Sequence, residues 1–164
     1  MKNIYLAGGC FWCISGSFLD LKGISDVVSG YSGGDEINPS YEDVKHQLTG
    51  HRETIKLTYD ENIISINEIL EIFFRSVDPF DYDGQFIDKG HSYTLAFYYQ
   101  NDEEKNIFEN FVNEKKKLLN MDVAIAVEPF KSFYIADEYH QKFPIYHPEE
   151  YEKELEESGR KNKK

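Results

Sequence analysis

The clearest pattern in the chain lies over residues 52–59. Glu53, Ile55, Leu57 and Tyr59 alternate with Thr54, Lys56 and Thr58, the period of two that marks a strand with one covered face. Behind it, Ile66, Ile69, Leu70, Phe73, Phe74 and Val77 recur at helical spacing. Ser65 and Glu68 form a capping-box signature at the start of that helix, and Pro79 stops it. A longer amphipathic helix is predicted over 102–119, with Ile107, Phe108, Phe111, Val112 and Leu118 inward. Further strands are expected at 3–7, 24–31, 93–99 and 123–128. Shorter helices are expected at 11–21, with Ile14, Phe18 and Leu21 on one face, and at 41–47.

Residues 78–92 read as a loop longer than most in compact domains, and such loops are often functional. After residue 128 the chain is aromatic but irregular to about His147. Residues 149–164 are highly charged and read as a frayed helix or a disordered tail. No repeat or linker divides residues 1–148, which are expected to form one domain. Strands and helices intermix, so the reading is two layers with helices packed on a sheet; the pattern does not fix the strand order.

Composition narrows the function. The net charge is −12, from 30 acidic and 18 basic residues, which argues against nucleic-acid binding and against docking on anionic membranes. No stretch has the length of a membrane span. Ala7-Gly8-Gly9-Cys10 resembles a lipoprotein cleavage box, but only six residues separate Asn3 from Cys10, short of the ~7–15 apolar residues of a signal segment. The expected location is the cytoplasm, where thiols stay reduced.

There are two cysteines, Cys10 and Cys13. A C-x-x-C pair points to redox chemistry or to half of a metal site. Zinc normally takes four ligands, and there is no second C-x-x-C to complete a site. Cys10 falls between a predicted strand and a predicted helix, after two glycines. A helix N-terminus favours the thiolate, so Cys10 is the candidate nucleophile. Cys13 lies one helical turn on, within reach of a disulfide if the turn unwinds; it either resolves an oxidised Cys10 or packs in the first turn. Phe11 and Trp12 between them are core residues or the wall of an apolar cleft. Glu53 is either exposed just ahead of its strand or buried on the apolar face. In the second case desolvation raises its pKa toward that of a general acid at neutral pH.

These residues fall within motifs that resemble the peptide methionine sulfoxide reductases specific for the S-sulfoxide. Gly9-Cys10-Phe11-Trp12 is similar to the family's Gly-Cys-Phe-Trp-Gly. In order follow Gly30-Tyr31-Ser32-Gly33-Gly34, Pro39-Ser40-Tyr41-Glu42-Asp43-Val44, Thr49-Gly50-His51-Arg52-Glu53, Asp78-Pro79, Asp88-Lys89-Gly90 with Tyr93, and Ala136 to Gln141. The resemblance spans about residues 3–147.

It implies an α+β fold, a two-layer ferredoxin-like roll with helices on a mixed sheet. It also implies thiol-dependent reduction of methionine S-sulfoxide, free or in proteins, through a Cys10 sulfenic acid. By resemblance Glu53 protonates the sulfoxide oxygen, Tyr41 and Tyr93 hydrogen-bond it, and Asp88 organises the substrate's polar groups. Phe11 and Trp12 hold the S-methyl group. No metal or organic cofactor is implied. The reductant is an external thiol (thioredoxin, glutaredoxin or glutathione), and the expected form is a monomer.

Three departures bear on this reading. Cys13 stands where the family has glycine. No cysteine follows it, whereas many members keep a resolving cysteine near the C-terminus. The family's Gly-Thr-Gln-Tyr-Arg reads Gly90-His91-Ser92-Tyr93-Thr94. The competing readings are a general thiol–disulfide oxidoreductase using Cys10 and Cys13, which the Phe-Trp spacer disfavours, and a non-enzymatic metal- or peptide-binding module, which the shortage of ligands disfavours.

Overall fold

The structure is a computed structural model that describes residues 1–160. The chain runs β1 (Lys2–Gly8), α1 (Phe11–Gly16), β2 (Ile24–Ser32), α2 (Tyr41–Lys45), β3 (Arg52–Tyr59), α3 (Ile66–Ser76), β4 (Gly84–Gln85), β5 (Asp88–Lys89), β6 (Leu95–Tyr99), α4 (Asp102–Leu119), β7 (Ile125–Pro129), β8 (Phe133–Ile135), α5 (Phe143–Tyr146) and α6 (Pro148–Ser158). Six strands make one curled α+β sheet in the order β7-β6-β1-β3-β2-β8, and β4 and β5 pair as a separate hairpin. All neighbours in the large sheet are antiparallel except β6 and β7.

Alternation decides which face is covered. Ile4 and Leu6 of β1, Ile55 and Leu57 of β3, Val27 of β2 and Leu95 and Phe97 of β6 lie in one core. Against them pack Phe11 and Ile14 of α1, Ile69, Leu70 and Phe73 of α3, and Phe108 and Phe111 of α4. Phe97 meets Phe73 edge-on and lies against Phe108, each at 5.2 Å. The other face carries a small cluster of Ala7, Ala96 and Tyr98. The β7–β8 connection folds over it, with Phe130 against Tyr5 at 4.3 Å.

The helix signals hold. The Ser65–Glu68 capping box is present, and Ser40 and Asn101 cap α2 and α4 with their side chains. The differences are local. Leu118 is exposed, because the inward stripe of α4 ends at Val112. Helix α1 stops at Gly16 rather than near Leu21; Tyr151 packs over that glycine, where any side chain would collide with its phenol. Tyr93 sits in a 3₁₀ turn ahead of β6. Strand β8 and helix α5 lie in the stretch read as irregular.

The C-terminal residues differ most from expectation. Residues 148–158 form a helix, and Arg160 beyond it is buried. Its guanidinium donates to Gly8 O at 2.9 Å and Ser76 O at 3.1 Å and lies over the Phe86 ring at 4.8 Å. The rest of the predicted tail, 161–164, lies outside the described residues. We expect Arg160→Ala to release α6 without unfolding the sheet. Charge-assisted hydrogen bonds are worth about 1.5–3 kcal/mol, so amide exchange over 148–158 should rise roughly tenfold to a hundredfold. Hydrogen-exchange mass spectrometry measures this, and unchanged α6 protection would show that other contacts hold the helix.

Candidate active site

Strands β1 and β3 are antiparallel neighbours, so the end of β1 and the start of β3 share one edge of the sheet. Gly9 turns the chain there at φ +85, a left-handed backbone that favours glycine. A Cβ at Gly9 would also lie 2.8 Å from Gln85 and from Arg160, because both the β4–β5 hairpin and the Arg160 side chain pack on this turn. Cys10 follows as the residue that opens α1.

Glu53 is the inward-facing residue at this end of β3. It is 1% exposed, so of the two sequence readings the buried one describes it. The Phe11 N–H donates to Glu53 Oε1 at 3.1 Å, while Oε2 is buried with no partner. Burial pushes its pKa up to about 8, reinforced by the charge of Asp88 and only partly opposed by the Phe11 hydrogen bond. At neutral pH the carboxyl keeps its proton. Since Oε1 accepts a hydrogen bond, the pattern puts that proton on Oε2.

Cys10 and Cys13 are both buried and reduced. The helix-terminus argument predicts a lowered thiol pKa at Cys10, but the direction is the reverse. The Cys13 side chain as hydrogen-bond partner, burial, and the charges of Glu53 and Asp88 push it well up. A one-and-a-half-turn helix offers a weak dipole, and an apolar, acidic setting outweighs it.

Aromatic rings wall the site. Trp12 stacks on Phe143 at 4.0 Å between centroids. Its indole N–H donates to His140 Nδ1 at 3.0 Å, which places the imidazole proton on Nε2. His140 is buried and its pKa is lowered by desolvation. Tyr41 stacks on His140 at 4.3 Å, and Phe11 lies 5.3 Å from it. Phe11 is fully buried, whereas Trp12 is partly open. The phenols of Tyr41 and Tyr93 are pushed far above their ordinary pKa by burial and by Glu53, so both remain donors.

The 78–92 loop is held in place by amide side chains. Gln85 accepts from Asp78 N at 2.8 Å and donates to Asp78 O at 2.7 Å. Gln47 donates to Ser92 Oγ at 2.7 Å and accepts from Ser92 N at 3.0 Å. The loop delivers Asp88, whose pKa burial raises. One Asp88 oxygen, one Glu154 oxygen and Cys10 Sγ lie within 4.8 Å of one another, a grouping with donor types that suit a divalent cation.

The eight side chains singled out in the sequence therefore gather at one end of the sheet. Sequence reasoning missed Glu154, Tyr151 and Arg160, for which only the charged and aromatic character of the segment gave a hint, and it gave His140, within the Ala136–Gln141 motif, no role in the chemistry.

The comparisons with known proteins agree with this architecture. The family model described as peptide methionine sulfoxide reductase matches residues 2–164. The chain belongs to that family. The peptide methionine sulfoxide reductase MsrA of Picrophilus torridus is 43% identical over 147 residues, covering 89% of this chain and 83% of the relative. Reduced Mxr1 from Saccharomyces cerevisiae superposes with a TM-score of 0.85 at 29% identity, covering 90% of this reductase-family chain and 86% of Mxr1. A structure of Mxr1 in complex with Trx2 superposes at 0.59 with 23% identity, covering 87% and 84%.

Glu53 should leave a signature in stability. Between about 4.5 and about 8 the folded protein holds a proton that the unfolded chain has released. The group thus makes stability fall as pH rises through that window. In Glu53→Gln the loss of melting temperature between about pH 5 and about pH 8.5 should be several degrees smaller than in the parent. Thermal unfolding followed by circular dichroism checks this, and parallel curves would remove Glu53 as the titrating group.

Proposed function

We propose that the site reduces methionine S-sulfoxide, free or in proteins, with Cys10 as nucleophile and a thiol as final reductant. The observation that carries the reading is the buried Glu53 carboxyl, fixed through Oε1 by the N–H of Phe11, the residue after Cys10, with Oε2 left unpartnered. A sulfoxide oxygen leaves sulfur only when protonated, and Glu53 holds a proton at neutral pH.

The sulfoxide methyl group sits against Phe11 and Trp12, and its oxygen meets Tyr41, Tyr93 and Glu53 Oε2. The Glu53 proton passes to the oxygen as Cys10 sulfur bonds to the sulfoxide sulfur, and the Cys10 thiol proton restores Glu53. The hydroxyl then moves to Cys10 Sγ as the sulfoxide S–O bond breaks, and the bond between the two sulfurs breaks with its electron pair left on the methionine sulfur. Methionine leaves with its sulfur reduced, and Cys10 becomes a sulfenic acid. Asp88 orders the substrate's polar groups. The Cys13 thiol, one helical turn from Cys10, attacks the sulfenic acid, water leaves, and a disulfide forms. An external dithiol of the thioredoxin or glutaredoxin type, or glutathione, returns both cysteines to thiols. The Mxr1–Trx2 complex supports thioredoxin. No metal or organic cofactor enters these steps.

The order β6-β1-β3-β2, crossed by α1 between β1 and β2 and by α3 between β3 and β6, supports a ferredoxin-like roll as the core. We read it as one catalytic domain acting as a monomer in the cytoplasm.

The test is dithiothreitol-driven reduction of the separated epimers of a blocked methionine sulfoxide. Only the S epimer should turn over, Cys10→Ser should be inactive, and Cys13→Ser should complete one stoichiometric reduction. Glu53→Gln should slow the single-turnover step by about a hundredfold or more. That step should also slow as pH rises through about 8, where Glu53 loses its proton. Failure of folded, reduced protein with either epimer would favour disulfide exchange. A Cys13→Ser protein unable to complete one reduction would overturn the division between the two thiols.

A further inference from the structure

Helix α6 brings to the nucleophile a carboxylate that the proposed mechanism leaves unused. Glu154 and Asp88 are both half-buried, and one oxygen of each lies within 4.8 Å of the other and of Cys10 Sγ. The influences on both carboxyls are burial and neighbouring charges rather than a hydrogen bond. Arg160 and Lys45 act on the two only as charges, not as bonded partners. The Asp88 charge also acts on Cys10 and on Glu53, whose Oε2 is buried and unpartnered. The helix is not loosely placed. Tyr151 packs over Gly16, and Arg160 is bonded to Gly8 O and Ser76 O.

Two unbonded carboxylates facing each other in a low-dielectric cleft repel, and a cation relieves them. A methionine sulfoxide bound through its sulfur at Cys10 brings one when its amino group is free. Three carbons separate the sulfur from the α-nitrogen, so with ordinary bond lengths the two are about 4–5 Å apart. That span brings an ammonium within hydrogen-bond reach of oxygens that are themselves within 4.8 Å of Cys10 Sγ. An internal methionine sulfoxide presents a neutral amide there instead.

We propose that Glu154, together with Asp88, binds the substrate's α-ammonium and favours free or N-terminal methionine sulfoxide over internal residues. This rests on the reductase reading above. Because the ammonium lies away from the reacting atoms, it contributes mainly to binding, and its loss is read in KM rather than kcat.

The test compares L-methionine-S-sulfoxide amide with its N-acetyl derivative, which differ only in the charged amine, at about pH 6.5, where that amine is protonated. The free amino acid is a third substrate, separating free from N-terminal recognition. The parent enzyme should prefer the amine. In Glu154→Gln the ratio of kcat/KM, amine over acetyl, should fall about tenfold through KM, and in Glu154→Lys further, as expected for a charge-assisted contact. Each ratio is taken within one preparation, so a partly unfolded variant does not mimic the effect. A ratio within roughly twofold of the parent in both variants would overturn the inference. So would a parent preference that vanishes with EDTA, which would assign the carboxylates to a metal ion. No turnover of any substrate by the parent would instead overturn the reductase reading.

Discussion

The hydrogen bond from Phe11 N–H to Glu53 Oε1 ties together everything the site requires. It joins the first turn of α1 to the first inward position of β3, two segments that meet only because β1 and β3 pair antiparallel. It fixes one carboxyl oxygen and leaves the other without a partner. A buried polar atom left unpaired costs on the order of 1–3 kcal/mol, so the fold carries that penalty at rest. A substrate oxygen that accepts from Oε2 recovers it. The same bond aims the Phe11 backbone, and hence the adjoining Cys10, toward the acid.

Protonation is the second consequence. An apolar wall of Phe11, Trp12, Tyr41 and His140 removes water, and Asp88 adds negative charge. Together these keep Glu53 protonated to about 8 and push the Cys10 thiol up as well. A free thiolate is therefore not the resting form. That fits a reaction in which a proton must reach oxygen as sulfur attacks, since acid and nucleophile each hold a proton and exchange one between them. A site built only for disulfide exchange gains from a lowered thiol pKa, and this one does the opposite.

Much of this was legible in the sequence, for physical reasons that differ by region. The period-two run of 52–59 placed Glu53 on the covered face because one side of β3 is buried along its length. The capping box of α3 and the 3.6-residue stripe of α3 and α4 are local signals and survived folding intact. Leu118 did not, because a helix can outrun the sheet it packs on. The thiol's pKa could not be read from its place ahead of a helix, because the groups that set it come from β3, the β4–β5 hairpin and Cys13. Residues 139–160 were opaque for a related reason. Arg160, Tyr151 and Glu154 look like surface charge and chance aromatics until tertiary contacts with Gly8, Gly16 and Cys10 are formed.

The position of the second thiol also bears on the C-terminal segment. A resolving cysteine near the C-terminus, as many resembling sequences have, must travel to the nucleophile, so the segment that carries it has to stay mobile. Here Cys13 lies in the first turn of α1, which Cys10 opens. If it resolves the sulfenic acid as proposed, only local unwinding of a six-residue helix is required. The residues after His147 are then free of that task, and the structure shows them used otherwise. Arg160 locks them to the end of β1, Tyr151 occupies the space that Gly16 leaves open, and Glu154 is held at the cleft. A segment that no longer carries a moving cysteine can serve as part of the wall of the site.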